Sequence, residues 1–175
     1  MARIEIPIED WQIKPHDLWD NQWLLLTSGD FSSQEFNCMT VGWGSFGTMW
    51  NRPFALIAVR DHRYTYQFIE KYDSFTLSAF PKTFHKTLSV LGKKSGRDMD
   101  KINHSGLTPI VSETVLSPGF EEAELIVECK KMYWQDLDPE NFLTQKIHLM
   151  YPQKDFHRIY FGHITAIFGE AKYKG

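Results

Sequence analysis

The chain breaks into short runs of β-branched and aromatic residues separated by turn residues, and only two stretches carry a helical stripe. The strand candidates are WLLLTSGD (23–30), EFNCMTVGWGS (35–45), FALIAVR (54–60), SFTLSAF (74–80), LTPIVSE (107–113), AELIVECKKMYW (123–134), FLTQKIHLM (142–150) and RIYFGHITAIFGEA (158–171). Runs this short, rich in Val, Ile, Phe and Thr, suit a pleated, half-buried surface. RYTYQFIEKY (63–72) aligns Tyr64, Phe68, Ile69 and Tyr72, and KTFHKTLSVLG (82–92) aligns Phe84, Leu88 and Leu91 before Gly92 stops it. About eight strands interrupted by two helices imply a mainly β fold, an antiparallel barrel decorated by helices rather than a layered parallel sheet. No repeat, low-complexity tract or linker divides the 175 residues, so one domain with a sizeable core is expected over 1–175.

One of these runs is unusual. NCMTVGWGSFG (37–47) places Asn37, Met39, Val41, Trp43 and Ser45 on one face of an extended strand and Cys38, Thr40, Gly42, Gly44 and Phe46 on the other. The second face then lacks a side chain at two successive positions, which marks a bulge, a bend, or something lying close to the backbone. Gly42, Gly44 and Gly47 also spell the dinucleotide fingerprint G-x-G-x-x-G, which has meaning only where a helix follows. Here Asn51, Arg52 and Pro53 read as a turn, and FALIAVR reads as another strand, so a dinucleotide fold is excluded.

The formal net charge is -3, with both signs mixed along the chain, which gives no footprint for nucleic acid or a membrane surface. Apolar runs are too short to span a bilayer, and MARIEIPIEDWQIKPHD lacks the apolar region of a secretory signal. Cys38 and Cys129 have no metal spacing, so a reduced, cytoplasmic setting is expected. Aromatic residues reach 15%, more than a minimal core needs, which points to a ligand site or an oligomer interface.

The first helix begins with Arg60, Asp61, His62 and Arg63. Asp61 suits an N-cap, whereas the three basic residues sit at the positive end of the helix dipole. Either they are solvated surface cations, or a bound anion reverses the sign of that interaction, with free backbone N–H groups and the Thr65 hydroxyl completing a phosphate cradle. GKKSGRDMDK (92–101) adds Lys93, Lys94, Arg97 and Lys101 and reads as a solvated loop unless it lies beside the first cluster. The seven histidines form no i, i+4 pair and no H-E-x-x-H, so no metal site is expected. There is no P-loop and no nucleophile elbow. Cys38 is open to two readings, a reactive thiol or a small buried hydrophobe. Trp43 is likewise open, as a stacking platform or as core. No residue set is equipped for acid–base or nucleophilic work, so a cofactor would supply any chemistry.

The ordered motifs N-x-M-T-x-G-W-G (37–44), P-x-x-x-x-x-x-R-x-x-R-Y-T (53–65), F-x-x-S (75–78), S-G-R-D-x-D-K (95–101), E-C (128–129) and H-x-x-x-x-G (157–162) resemble the flavin reductase-like, FMN-binding split-barrel proteins over about residues 20–170. The resemblance implies a split β-barrel homodimer with FMN held non-covalently near the dimer interface. It implies flavin contacts from Asn37, Met39, Thr40, Val41, Gly42 and Trp43, largely through the backbone, the missing side chains making room for the ring or the ribityl chain. It assigns Arg60, Tyr64 and Thr65 to the ribityl phosphate, Ser78 and Ala79 to the pocket wall, and Lys101 to the cofactor, at its phosphate. His157 matches a family histidine near the ring, a catalytic candidate. The family often has Asp directly before it, whereas here Phe156 intervenes and Asp155 is displaced, so a structural histidine is the other reading. The implied activity is transfer of reducing equivalents from NAD(P)H through FMN to free flavin, iron or a protein. A flavoredoxin-like electron carrier and a flavin-binding module without turnover are the alternatives.

Overall fold

In a computed structural model, which describes residues 2–175, fourteen strands and helices follow in chain order. They are β1 (Ile4–Glu5), α1 (Pro15–Asp17), β2 (Leu24–Asp30), β3 (Glu35–Val41), β4 (Gly44–Met49), β5 (Arg52–Arg60), α2 (Tyr64–Lys71), β6 (Ser74–Ala79), α3 (His85–Lys93), β7 (Pro109–Ile110), β8 (Gly119–Phe120), β9 (Leu125–Asp136), α4 (Gln145–His148) and β10 (His157–Gly169). The main sheet runs β3-β2-β6-β9-β10-β5-β4, with β1 added on β10, and every pairing is antiparallel.

The order contains its own closure. β3 and β4 lie at opposite ends of the path, yet only Gly42 and Trp43 join them. Two linking residues reach roughly 10 Å, so the sheet must roll until its ends meet. The ends share no ladder, which leaves a barrel split along the β3/β4 seam. Register shifts between β9 and β10 at Phe161/Gly162 and Ile164/Ala166 help the long strands bend.

Alternation then sorts the side chains. Leu24, Leu26, Met39, Val41, Ile57, Val59, Phe75, Leu77, Val127 and Tyr160 fill the barrel, while Leu25, Cys38, Ile126 and Phe120 face outward under Leu88 and Leu91 of α3. The unbroken Leu24-Leu25-Leu26 run is apolar because both faces of β2 are covered.

Several expectations need correction. The 35–45 strand bends at the seam, so Gly42 and Gly44 do not share a face. A Cβ on Gly44 would lie 2.4 Å from the Trp19 ring, and one on Gly42 would lie 3.2 Å from the Trp19 carbonyl oxygen. The glycines therefore have an internal reason: Trp19 and Trp23 come close to the seam. The turn after β4 is at Trp50 and Asn51, both with positive φ, and Arg52 and Pro53 already belong to β5. Residues 142–150 form no strand. β9 and β10 pair with each other on either side of this excursion, and the segment between them forms α4 instead. Only Pro109–Ile110 of the 107–113 candidate pairs, because the following loop is drawn onto Glu128, whose carboxylate accepts from the Glu113 and Thr114 backbone N–H groups. The N-cap of α2 is Arg63, with no side-chain cap, and Asp61 stays outside the helix.

Gly44→Ala should destabilise the fold by about 1–3 kcal/mol, since its Cβ would sit 2.3 Å from the immobile Leu56 carbonyl oxygen. Gly42→Ala should cost much less. Urea denaturation of both variants checks the ranking.

Candidate functional site

The outer face at the seam gathers the chemistry. Trp43 stands in the β3–β4 link, 43% exposed, with its ring 4.8 Å from that of His157. His157 pairs with Arg60 across the β10/β5 ladder, so both project from the outer face beside the start of α2. Residues 137–156 fold back over this corner. Arg60 forms an ion pair with Asp155, donates to the Met150 carbonyl oxygen at 3.3 Å and lies 5.1 Å from the Tyr151 ring centre. The Tyr151 hydroxyl is 2.8 Å from His157 Nδ1.

The second basic stretch does lie beside the first. Arg63 donates to the Gly92 carbonyl oxygen at 2.6 Å, and Arg97 donates to that of His62 at 3.0 Å with its guanidinium over the Tyr64 ring. Lys101 is buried and donates to the carbonyl oxygens of Leu91 (3.0 Å) and Lys94 (3.2 Å), closing the C-terminal end of α3. Burial and neighbouring Arg63 push its pKa down.

The expected cofactor residues thus fall into three groups. Thr40, Gly42, Trp43 and Arg60 lie along the outer surface at or near the seam. Asn37, Tyr64, Thr65 and Lys101 form the frame around the start of α2. Asn37 Nδ2 donates to the Thr65 hydroxyl at 2.8 Å, and Asn37, Tyr64 and Lys101 line a cleft of about 720 Å³. Met39, Val41 and Ala79 point into the barrel core, so only their backbones face anything else. Ser78 is fully buried, and its hydroxyl has no partner among the described residues. A second cavity of about 1000 Å³ begins one residue beyond Ala79, between Phe80, His85, Glu124 and Tyr173. The Thr40 hydroxyl is committed to the Leu88 carbonyl oxygen at 2.5 Å.

Cys38 is a buried hydrophobe and not a reactive thiol: burial pushes its pKa up to about 12. Among the described residues no cluster of three potential metal ligands exists, and no helix is long and apolar enough to cross a membrane. Sequence reasoning missed Tyr151 and the part played by Asp155. Both lie in an irregular segment, where no periodicity marks a contact.

Comparison with known proteins decides the family. The flavin reductase like domain model matches residues 21–170. The chain belongs to that family. No curated protein matches the sequence. Similar solved structures include the flavoredoxin of Desulfovibrio vulgaris (Miyazaki F), with 20% identity, 92% of this chain and 75% of that one covered, and a TM-score of 0.67. An FMN-binding domain of a flavin reductases-like enzyme from Shewanella baltica OS155 gives 16% identity, 98% and 78% coverage, and a TM-score of 0.68. An NADH:FAD oxidoreductase of Streptomyces globisporus gives 16% identity, 88% and 78% coverage, and a TM-score of 0.66. The fold is the split barrel of these flavin reductase-like proteins, and the chain is a flavin-binding oxidoreductase of that family.

The His157 pKa is lowered to about 4, first by burial and then by Arg60, with Asp155 opposing. The folded ring therefore stays neutral where the unfolded ring, near 6.5, takes up a proton. This contribution to stability is complete above about pH 6.5 and is lost as pH falls toward 4, at most about 3 kcal/mol. His163, also shifted down, adds to the same window. His157→Gln should flatten part of the fall in urea midpoint between about pH 6.5 and 4.5.

Proposed function

We propose that this chain binds FMN non-covalently and transfers reducing equivalents from NAD(P)H to an acceptor such as free flavin, iron or a protein. The observation that carries the reading is positive charge at the start of α2 that carboxylates leave largely uncancelled. Arg63 and Arg97 each donate one hydrogen bond to a carbonyl oxygen, which holds the guanidinium in place and leaves its charge and further N–H donors for a ligand. These cations and the first N–H groups of α2, which no side chain caps, suit a phosphate. From Arg60, His157 leads along the outer face to the exposed indole of Trp43.

FMN, when bound, supplies the hydride and electron chemistry that no side chain here provides. Arg63 and Arg97 would hold its phosphate, with Arg60, tied to Asp155, bordering it and with Asn37, Tyr64, Thr65 and Lys101 fixing the frame. Trp43 and the backbone from Met39 to Gly42 would face the ring, and Ser78 and Ala79 would back the wall behind Thr40. His157 would border the ring as a neutral hydrogen-bonding group.

A homodimer fits the second aromatic feature. Trp50 is 57% exposed and packs with Tyr133 and Phe161, while Phe161 stacks on Phe54 at 5.3 Å, making an outward aromatic face continuous with the seam. The two cysteines are free and buried, which suits a reduced compartment such as the cytoplasm. The printed name of the flavoredoxin neighbour supports the electron-carrier alternative, and that of the NADH:FAD oxidoreductase supports nicotinamide as donor. Anaerobic reduction of the FMN-loaded protein by NADH or NADPH separates them: bleaching of the flavin absorbance within seconds supports turnover, and none with either donor leaves the carrier.

FMN should bind far more tightly than riboflavin. Arg63→Ala or Arg97→Ala should weaken FMN about ten- to a hundredfold, since a charge-assisted hydrogen bond contributes about 1.5–3 kcal/mol, and should leave riboflavin unchanged. Fluorescence titration with both ligands checks this, and equal losses for the two would remove the phosphate from α2. Light scattering should give a dimer mass that Trp50→Asp converts to a monomer mass.

A further inference from the structure

The long excursion between β9 and β10 delivers one side chain to the candidate site that no motif announces. Tyr151 is almost fully buried, stacked against Phe142 (5.8 Å), packed on Phe156 (5.0 Å) and lying against the Arg60 guanidinium. Asp155 ties the same segment to Arg60. Three aromatic or ionic contacts therefore hold the phenol in place, and its hydroxyl has one hydrogen-bond partner, His157 Nδ1, at 2.8 Å.

We propose that Tyr151 is a positioning residue that fixes His157 as the Nε2–H tautomer, so that the imidazole offers a neutral N–H donor beside Trp43 to an acceptor atom of the ligand bound there. The inference rests on the flavin reading of the site given above.

The donor direction follows from satisfaction. If Nδ1 carried the proton, the buried Tyr151 hydroxyl hydrogen would have no acceptor among the described residues, and an unmade buried donor is costly. With the hydroxyl donating to Nδ1, the tyrosine keeps only an unused acceptor lone pair, and the one donor left over is Nε2–H, which faces the candidate ligand site beside Trp43. Nε2 then bears the hydrogen and makes no hydrogen bond to a described residue, in a residue that is 9% exposed. Charges facing the ring agree with a neutral state. Arg60, His62 and Arg63 disfavour its protonation, as does burial, and Asp155 opposes them but is itself ion-paired to Arg60. Burial also raises the Tyr151 pKa, keeping its proton available. Phe156 directly precedes the histidine, and Nδ1 meets the phenol rather than an acid.

The test uses the full chain and Tyr151→Phe, which keeps the packing ring and removes only the hydroxyl. Imidazole ¹⁵N spectra of the FMN-free protein near neutral pH should show His157 with Nδ1 unprotonated and Nε2 protonated, and Tyr151→Phe should populate the other tautomer. A wild-type Nδ1–H, or an unchanged tautomer in Tyr151→Phe, would overturn the assignment. In the FMN-loaded protein, Tyr151→Phe should lower kcat about tenfold with the FMN Kd and the KM for NAD(P)H unchanged. An unchanged kcat would overturn the positioning role even if the tautomer moves. Failure of the wild-type chain to take up FMN would instead overturn the flavin reading, and the spectra of the FMN-free chain would still decide the Tyr151 contact.

Discussion

The two-residue link between β3 and β4 is the constraint on which the rest depends. Because those strands end the hydrogen-bonding order on opposite sides, a link this short forces the sheet to close on itself. Closure sets the distribution of everything outside. One part of the outer surface lies under α3, where Leu25, Ile126 and Cys38 are buried with Leu88 and Leu91. The rest, on β4, β5, β9 and β10, carries aromatic residues that pack on one another, with residues 137–156 folded over one corner. Trp43 stands on the boundary because it is itself part of the link. An exposed tryptophan at that point costs the fold no core contact, while the neighbouring glycines are consumed by the inward approach of Trp19.

Electrostatics adds a second asymmetry. Ion pairs elsewhere cancel charge, as where Arg158 meets Glu70 and Asp136. Around the start of α2 the cations are met by backbone carbonyl oxygens instead, and Arg60 alone has a strong acidic partner. Carbonyl partners orient guanidinium and ammonium groups and leave their charge in place. The depressed pKa of His157 reports that field together with burial.

Much of the fold was legible because its strands are short, branched and bounded by turns, and because α2 and α3 carry clear stripes. What was not legible has physical causes. The 142–150 run reads locally as a strand, but a strand needs a partner, and the direct pairing of β9 with β10 on either side of the run is a property of the whole sheet. Leu143 ends up 94% exposed, which no local pattern could foretell. The residue types at the site were legible from the ordered motifs, but their partners were not. Lys101 reads as a free cation until α3 presents its last carbonyl groups, and nothing near Arg60 in sequence announces Asp155, which arrives from ninety-five residues away. Gly44 reads as room for a ligand until Trp19 fills it.

Arg60 therefore carries a choice that the other cations do not face. A phosphate drawn to Arg63 and Arg97 adds to their carbonyl contacts and displaces no acid. A phosphate drawn to Arg60 competes with Asp155 for one guanidinium, and Asp155 already has one buried carboxylate oxygen without a partner among the described residues. Losing Arg60 would leave that carboxylate near His62 alone, at 3.5 Å, and would loosen the segment that carries Tyr151. Anion binding at Arg60 and docking of residues 150–155 would then oppose each other by the same coupling free energy in both directions. On the flavin reading proposed above, the arrangement without that conflict has Arg63 and Arg97 taking the phosphate and Arg60 keeping Tyr151 against His157.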